Sequence, residues 1–459
     1  MSHPEQIVVI GGGISGLACA YRLGQLGTPV VLLEGEQCPG GLIGTVRKNG
    51  FLWESGPQSF QGTKTLIDLV RELGIESELC KADPRAPRFA VRGGRLRKIP
   101  LSPQAVLTSS LLGLGARWKV LSEALGKTKP PGEDESIAQF VRRKFGHEIL
   151  EYLVAPFVSG VYAGDPERLS LRAAFPTLEQ WERQYGSVLR GAMKSRRASS
   201  ASGAPPPLCS FARGMATLTQ ALFAKLGDQA RSAAPAQSVA RLGDGHSGAR
   251  YEVRFTQGGR SQALAARTVV LATPAHVASR LLAQTAGHLA HQLSGVAYAG
   301  VAVVARAYYR QQVGAPLDGF GVVSPRSENY RTLGIVWNSS LFGGRAPDGQ
   351  VVLTSFLGGA TDPEAIEKPE AAIAEIAHTD AARLLGITGP PIACAVWKHP
   401  KALPQYNLGH AHVVTAIRDA ERAVPGLFFV GNYLEGPSIG KCVELGFQTA
   451  EAARESVQL

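Results

Sequence analysis

Methionine and cysteine are both scarce in this 459-residue chain, with three of the first and six of the second. The cysteines (Cys19, Cys38, Cys80, Cys209, Cys394 and Cys442) make no C-x-x-C pair and no His/Cys cluster. Neither a structural zinc nor a disulfide framework is therefore expected, and such usage suits a reducing cytoplasm. No metal site is predicted. No stretch approaches the ~18 unbroken apolar residues of a bilayer span. The first apolar run, from Ile7, lacks the basic leader of a secretory signal, so none is expected. Histidines 147, 276, 399 and 410 are scattered, and no Ser–His–Asp order appears. No dedicated catalytic base is expected. Acidic residues are also short, 37 against 48 Lys and Arg, leaving a net charge of +11.

What is present is globular. The hydrophobic content of 44% and a mean hydropathy of +0.00 argue against disorder. The length points to two or three domains. The positive charge is concentrated: residues 85–200 hold 20 Lys and Arg against 10 Asp and Glu. Within that region, "PLSPQAVLTSSLLGLGARWKVLSEALGK" offers Leu107, Leu111, Leu112, Leu114, Trp118 and Leu121 as one apolar face beside Arg117 and Lys119. On the residues alone, core packing is the first reading of this face. Contact with anionic headgroups is the second.

The run "IVVIGGGISGLACAYRLGQLGTPVVLLEGE" reads as strand, tight turn, helix and strand. Gly11 permits the turn, Gly13 lets a pyrophosphate approach bare backbone, and Gly16 allows close helix–strand packing. Gly12, Ile14 and Ser15 complete the loop that presents a helix N-terminus to an anion. Glu34 ends the second strand, where a carboxylate accepts bonds from ribose hydroxyls and repels a 2′-phosphate. These features specify a dinucleotide without saying which.

The next segment, "GEQCPGGLIGTVRKNGFLWESGPQSF", adds the Gly40–Gly41 doublet and the turn Gly56-Pro57-Gln58-Ser59. Acid, doublet and the G-x-x-x-[DE]-x-G run together resemble the amine-oxidase-type flavoprotein superfamily. The resemblance implies FAD, held non-covalently because the motif that links flavin to cysteine in some relatives is missing around Cys442. It also implies FAD contacts at Gly35, Gly41, Leu42, Gly56, Pro57, Gln58 and Ser59. Near the other end, "GLFFVGNYLEGPSIG" repeats a strand–glycine–helix junction. The superfamily places Gly-Asp there, its following helix aimed at the flavin's pyrimidine end; this chain has Gly431-Asn432. Both chain ends would then grip one coenzyme. Val239 matches the backbone that touches adenine in the family, and Thr273 lies in its "ATP" turn.

Five further blocks are in order along the chain: "FVSGVYAGDPERLSLRAAFP", "SSLFGGRAPDG", "LTSFLGGATDP", "WKHPKALPQYNLGH" and "VGNYLEGPSIGKCVELG". Together they resemble the protoporphyrinogen oxidase family. The resemblance implies six-electron oxidation of protoporphyrinogen IX by three hydride transfers to FAD N5, with oxygen reoxidising the flavin to give hydrogen peroxide. It places Trp397 beside the flavin and Gly436, Pro437 and Ser438 in its closing loop. Arg95 matches an arginine that pairs with a substrate propionate, and Gly160, Val323 and Phe356 match the macrocycle slot. Candidate partners are the porphyrinogen, an anionic membrane surface, a second copy of the chain, and ferrochelatase as taker of the product; nucleic acid is not among them. The expected location is the cytoplasm, peripheral to the inner face of the cell membrane.

The expected architecture is α/β (α+β overall). A discontinuous Rossmann-like FAD domain covers 1–85, 205–294 and 395–459. A mixed-sheet substrate domain covers 86–100 and 295–394, and residues 101–204 form a helical membrane-binding lobe. A flexible linker is expected over 195–210. The rivals are a coproporphyrinogen III oxidase of the same family, an amine oxidase, and a colourless binding protein of the Rab-escort type.

Overall fold

The computed structural model describes residues 6–200, 206–242 and 248–458. The Ile7–Ile10 strand is buried along its whole length, as a central strand covered on both faces must be. It lies between Val30–Leu33 and Thr268–Leu271; Ala230–Arg231 and Leu427–Phe429 complete a five-stranded, wholly parallel sheet. Only Thr268–Leu271 therefore separates the first strand of the chain from the last. The helices that follow those two strands, Ile14–Gln25 and Ile439–Gln458, pack on each other. An antiparallel meander of Ala236–Arg241, Tyr251–Gln257 and Arg260–Ala266 completes this half.

The second sheet has seven strands in the order Ala393–Pro404, Tyr298–Tyr309, Gln350–Gly358, Thr332–Val336, Gly321–Val323, Arg88–Arg92 and Arg95–Lys98. Only the Gly321–Val323 and Arg88–Arg92 pairing is parallel. One face is covered by the helix Glu370–Leu385. The cofactor-half boundary expected at 395 falls inside this sheet, because the Ala393–Pro404 strand pairs with Tyr298–Tyr309. The chain returns to the parallel half only after Pro404.

Helices between Pro103 and Ser200 form the lobe, around Leu111, Leu112, Ile137, Phe140, Leu150 and Tyr162. It also buries charge. Glu182 is fully enclosed, with Arg143 Nη1 at 2.7 Å and Lys144 Nζ at 3.2 Å. Buried ions need such pairing and saturated hydrogen bonding.

The apolar face read as one splits in two, core packing holding for part of it, and the linker needs correction. Leu111 and Leu112 belong to its core, at 0% and 2% exposure, because Gly113 caps a helix that begins only at Leu114. Leu114, Trp118 and Leu121 do lie outside; the side chain of Leu107 is outside those described. The linker expected over 195–210 is helical to Ser200 and a strand from Leu208, and 201–205 lie outside the described residues.

Candidate active site

The pyrophosphate-type loop has the form its glycines predict. Gly11 has φ +110°, and a β-carbon there would come within 2.7 Å of the Ala272 carbonyl oxygen. One on Gly16 would come within 1.9 Å of Gly11 O, so helix and turn touch only because that position is bare. At Gly13 a β-carbon would meet nothing within 4 Å, and the helix it caps has no side-chain cap. Free helical N–H groups beside open space are what a phosphate requires. The glycine doublet closes the other wall: Gly40 N donates to Gly12 O at 2.9 Å, and Gly13 bridges Gly40. Ile14, Gly41 and Leu42 stay partly open along that line.

Glu34 is held in place rather than free. Its carboxylate accepts from Gly12 N at 2.5 Å and from Glu36 N at 2.8 Å, which fixes it at the strand end beside Gly35. Thr273 is buried, and its Oγ1 has no partner among the described residues. A hydroxyl orphaned beside the glycine loop fits a bound polar group. Val239 lies on the edge strand of the meander, and its carbonyl already accepts from Thr285 Oγ1.

Other expected contacts serve structure first. A β-carbon on Gly56 would come within 1.9 Å of Leu42 O. The Gln58 amide donates to Gly56 O at 2.7 Å and accepts from Asn338 Nδ2 at 2.6 Å, so it fastens the loop after Pro57 to the short helix Asn338–Leu341 that follows a strand of the second sheet. Ser59 leads directly into the short strand Phe60–Gln61. Glu54 and Arg345, both 2% exposed, join the same two regions at 3.5 Å. Sequence reasoning missed Asn338 and Arg345, since neither lies in a cofactor motif.

The closing loop meets the first one. Gly436 has φ +135°, and Ser438 Oγ caps the last helix by accepting from Lys441 N at 3.3 Å. Tyr406 Oη donates to Asn432 O at 2.5 Å, and His410 Nε2 contacts Tyr433 O at 2.8 Å, fixing the turn after Gly431. Cys442 is buried, its Sγ donating to Gly436 O at 4.0 Å with the Ser15 hydroxyl nearby. Burial pushes its thiol up, outweighing the lowering by Ser15, so it stays a neutral thiol.

The second sheet brings the expected slot residues onto one face. Strand register sets Arg97 opposite Ala90, then Ala90 opposite Val323, Val323 opposite Gly334, Gly334 opposite Phe356, Phe356 opposite Val303, and Val303 opposite Trp397. Paired positions share a face, so one row crosses all seven strands. Val323, Gly334, Phe356 and Trp397 are only half-buried, though most of their strand neighbours are fully buried. At about 4.8 Å per strand, Val323 to Trp397 spans roughly 19 Å. Gly160 of the lobe faces this row, a β-carbon there lying 4.0 Å from Val323 Cγ1.

Arg95 shares the face of Arg97, two residues farther out. It sits exposed at a hairpin tip opposite Arg92, whose Gly93 and Gly94 amides donate to Glu328. Arg97 and Arg88 are better aligned, Arg97 in the row itself and Arg88 opposite Gly321 in the next. Arg97 Nε is buried without a partner among the described residues. Among those residues no group of three or more His, Cys, Asp and Glu forms a metal site.

The chain matches the family described as flavin containing amine oxidoreductase over residues 14–454. It belongs to that family. Within it, the chain is 34% identical to protoporphyrinogen oxidase 1, chloroplastic, of Arabidopsis thaliana, over 96% of this chain and 87% of the relative. Coproporphyrinogen III oxidase of Bacillus subtilis is 27% identical, over 96% of each. Among solved structures, a presumptive protoporphyrinogen oxidase from Exiguobacterium sp. 255-15 superposes with a TM-score of 0.82 at 24% identity, covering 98% of both chains. Cyclohexylamine oxidase of Brevibacterium oxydans gives 0.67 at 17% identity, covering 99% of both. The resemblance drawn from five separated blocks therefore holds over nearly the whole chain, and this flavin oxidoreductase carries the amine-oxidase-type fold.

Proposed function

We propose that this enzyme oxidises protoporphyrinogen IX to protoporphyrin IX in haem and porphyrin biosynthesis, using non-covalently bound FAD. The observation that carries the reading is the row from Arg97 to Trp397. It is apolar and half-open along a length suited to a tetrapyrrole, with Arg97 at one end and Trp397 at the other. When bound, FAD would supply the two-electron hydride acceptor, three times per substrate, with dioxygen returning it to the oxidised form as hydrogen peroxide.

The chain's own residues do the positioning. Gly11 to Gly16, Glu34 and the Gly40–Gly41 doublet hold the dinucleotide, and Gly436 to Ser438 close over its far end. Gly160, Val323, Gly334 and Phe356 exclude water and leave room for a flat macrocycle, while Trp397 limits how far it slides. Arg88, Arg95 and Arg97 form the cationic rim for propionates. No side chain is assigned a proton transfer.

The rim also separates two substrates. Protoporphyrinogen carries its two carboxylates on one side, where the arginines stand. Coproporphyrinogen carries four around the ring, and the opposite end here offers Trp397, Phe51 and Trp53 instead. An unpaired carboxylate against those aromatics costs several kcal/mol. Anaerobic mixing with each porphyrinogen tests this. Protoporphyrinogen should bleach the visible flavin absorbance faster; equal or faster bleaching by coproporphyrinogen reverses the assignment.

A peripheral contact with anionic membrane completes the proposal. Among the described residues no helix is long and apolar enough to cross a bilayer. On the lobe, however, Leu114 is 80% and Leu125 83% exposed, Trp118 71%, and Leu121 and Phe157 are exposed too. A second copy of the chain and ferrochelatase remain proposed partners on the family resemblance alone.

A further inference from the structure

Tyr406 holds two backbone groups of the flavin-closing loop at once. Its hydroxyl donates to Asn432 O at 2.5 Å and accepts from the Gly436 amide. A phenol makes both bonds only while protonated, and burial pushes its pKa up, so both persist through the neutral range. Together they bracket the turn from Asn432 to Gly436 as a staple does.

The staple has a rigid seat. Tyr406 is buried, and its ring stacks on His410 at 4.4 Å and 10°. His410 Nε2 in turn holds the Tyr433 carbonyl, inside the same turn. Tyr162, the last residue of the lobe helix Ala155–Tyr162, also packs against Tyr406, at 5.7 Å. Backbone bonds tie the segment to the lobe as well. Ser170 N donates to Tyr406 O at 2.8 Å, Leu408 N to Arg168 O at 2.9 Å, and Gln405 Nε2 to Tyr162 O at 2.8 Å. A ring locked in this way can place its hydroxyl within about 0.5 Å.

What the staple places is the start of the last helix. Gly436, with φ +135°, leads through Pro437 to Ser438, which caps Ile439–Gln458. Lys441 N is taken by Ser438 Oγ and Cys442 N by Ser438 O. The amides of Ile439 and Gly440 come before the first intrahelical bond, so the helix itself offers them no acceptor. They are also its positive end.

We propose that Tyr406 is a positioning residue for the flavin, whose hydroxyl fixes these amides against the cofactor and so sets its affinity and its reduction potential. The inference rests on the cofactor reading above. No electron or proton passes through the tyrosine. It acts only on the loop. A reduced flavin is the more electron-rich form, so it gains more than the oxidised form from a nearby positive helix end. Without the hydroxyl, Asn432 O and the Gly436 amide lose their partner, and the turn is free to shift, taking the helix end with it.

The test compares Tyr406→Phe, which keeps the stacked ring, with Tyr162→Phe, which removes a hydroxyl that donates to Ala174 O within the lobe. FAD is added back to each full-length apoprotein, and its dissociation constant is read from flavin fluorescence. The potential is read anaerobically against a reference dye. Tyr406→Phe should bind FAD about tenfold more weakly. A tenfold smaller preference for the reduced form lowers the two-electron potential by about 30 mV. Tyr162→Phe should lower the melting temperature and leave both readings unmoved. His410→Phe keeps the stack and cuts the tie to Tyr433 O. It should move both readings the same way by less, and it decides the matter where Tyr406→Phe does not fold. Wild-type affinity and potential in Tyr406→Phe, or equal shifts in Tyr162→Phe, overturn the positioning role. A wild-type apoprotein that takes up no FAD overturns the cofactor reading itself, and this role with it.

Discussion

Gly446 lies against Ser15 so closely that a β-carbon on it would come within 2.8 Å of the Ser15 carbonyl oxygen. The contact joins the helix that opens the first glycine motif to the helix that follows the last. The cofactor's two ends are proposed to be held by the loops preceding these helices, so their spacing sets the length of the site. Gly446→Val should force the helices apart, at about 1–3 kcal/mol for an overpacked contact, and loosen the Gly436–Ser438 loop. The expected result is lower flavin retention on gel filtration together with a lower melting temperature. Gly440→Ala is the control, since its β-carbon would meet Thr63 at an ordinary 3.5 Å. Equal flavin retention by both variants would detach the helix contact from cofactor binding.

The arginine rim makes a graded prediction. Arg97 stands half-buried in the row that runs to Phe356 and Arg88 beside it, exposed with its guanidinium over Phe320, whereas Arg95 is exposed out at the hairpin tip. A charge-assisted bond to a carboxylate contributes about 1.5–3 kcal/mol, so Arg97→Ala or Arg88→Ala should lower kcat/KM for protoporphyrinogen by roughly 10- to 100-fold. Arg95→Ala should lower it by less. All three should keep their flavin. If Arg95→Ala proves the most damaging, the hairpin must fold over the slot in the presence of substrate.

The sequence was most legible where one short segment suffices. The Gly11 to Gly16 turn with Glu34 behind it is local chemistry, and the strand, the helix and the acid's place after the second strand are where the pattern puts them. The slot was harder. In "VRGGRLRK", Arg95 and Arg97 alternate onto one face, and only the pairing of this hairpin with Gly321–Val323 decides which one is level with Phe356. Likewise "VAVVARAYYR" gives no sign that Arg306 is enclosed, because that depends on a helix some 70 residues later covering its face. Leu111 and Leu112 looked continuous with Trp118 until Gly113 interrupted the helix. Residues such as Gln58 and Asn338 meet across most of the chain, a pairing that no local pattern encodes.

The lobe's exposed side chains predict how it meets a bilayer. Leu114, Trp118 and Leu121 follow helical spacing on one side, and Leu125 continues past the helix end. Serine at Leu114, Trp118 and Leu125 together should cut sedimentation with phosphatidylserine-containing vesicles at both low and high salt, since it removes apolar area. The wild type should lose binding steeply with salt as its basic surface is screened. Unchanged sedimentation by the triple variant would assign the exposed face to some other contact.

Glu182 predicts an acid limit for the same lobe. Burial alone would raise its pKa, but the Arg143 and Thr128 hydrogen bonds and the nearby Lys144 charge outweigh it and bring the group from 4.5 down to about 2. An acid whose folded-state pKa is depressed stabilises the fold above its unfolded value and loses that contribution as pH falls through the folded one. Wild-type stability should therefore decline between about pH 4.5 and pH 2. Glu182→Gln keeps the shape and leaves Arg143 with Glu135 and Lys144 with Glu123, so it should cost about 1–3 kcal/mol near neutral pH, as for a lost buried charge-assisted bond. It should also flatten the decline, because the titrating group is gone. Thermal melts of both proteins from pH 7 to pH 3 make the comparison. Parallel slopes would mean that Glu182 does not carry the acid sensitivity, and that the charge network is compensated elsewhere in the lobe.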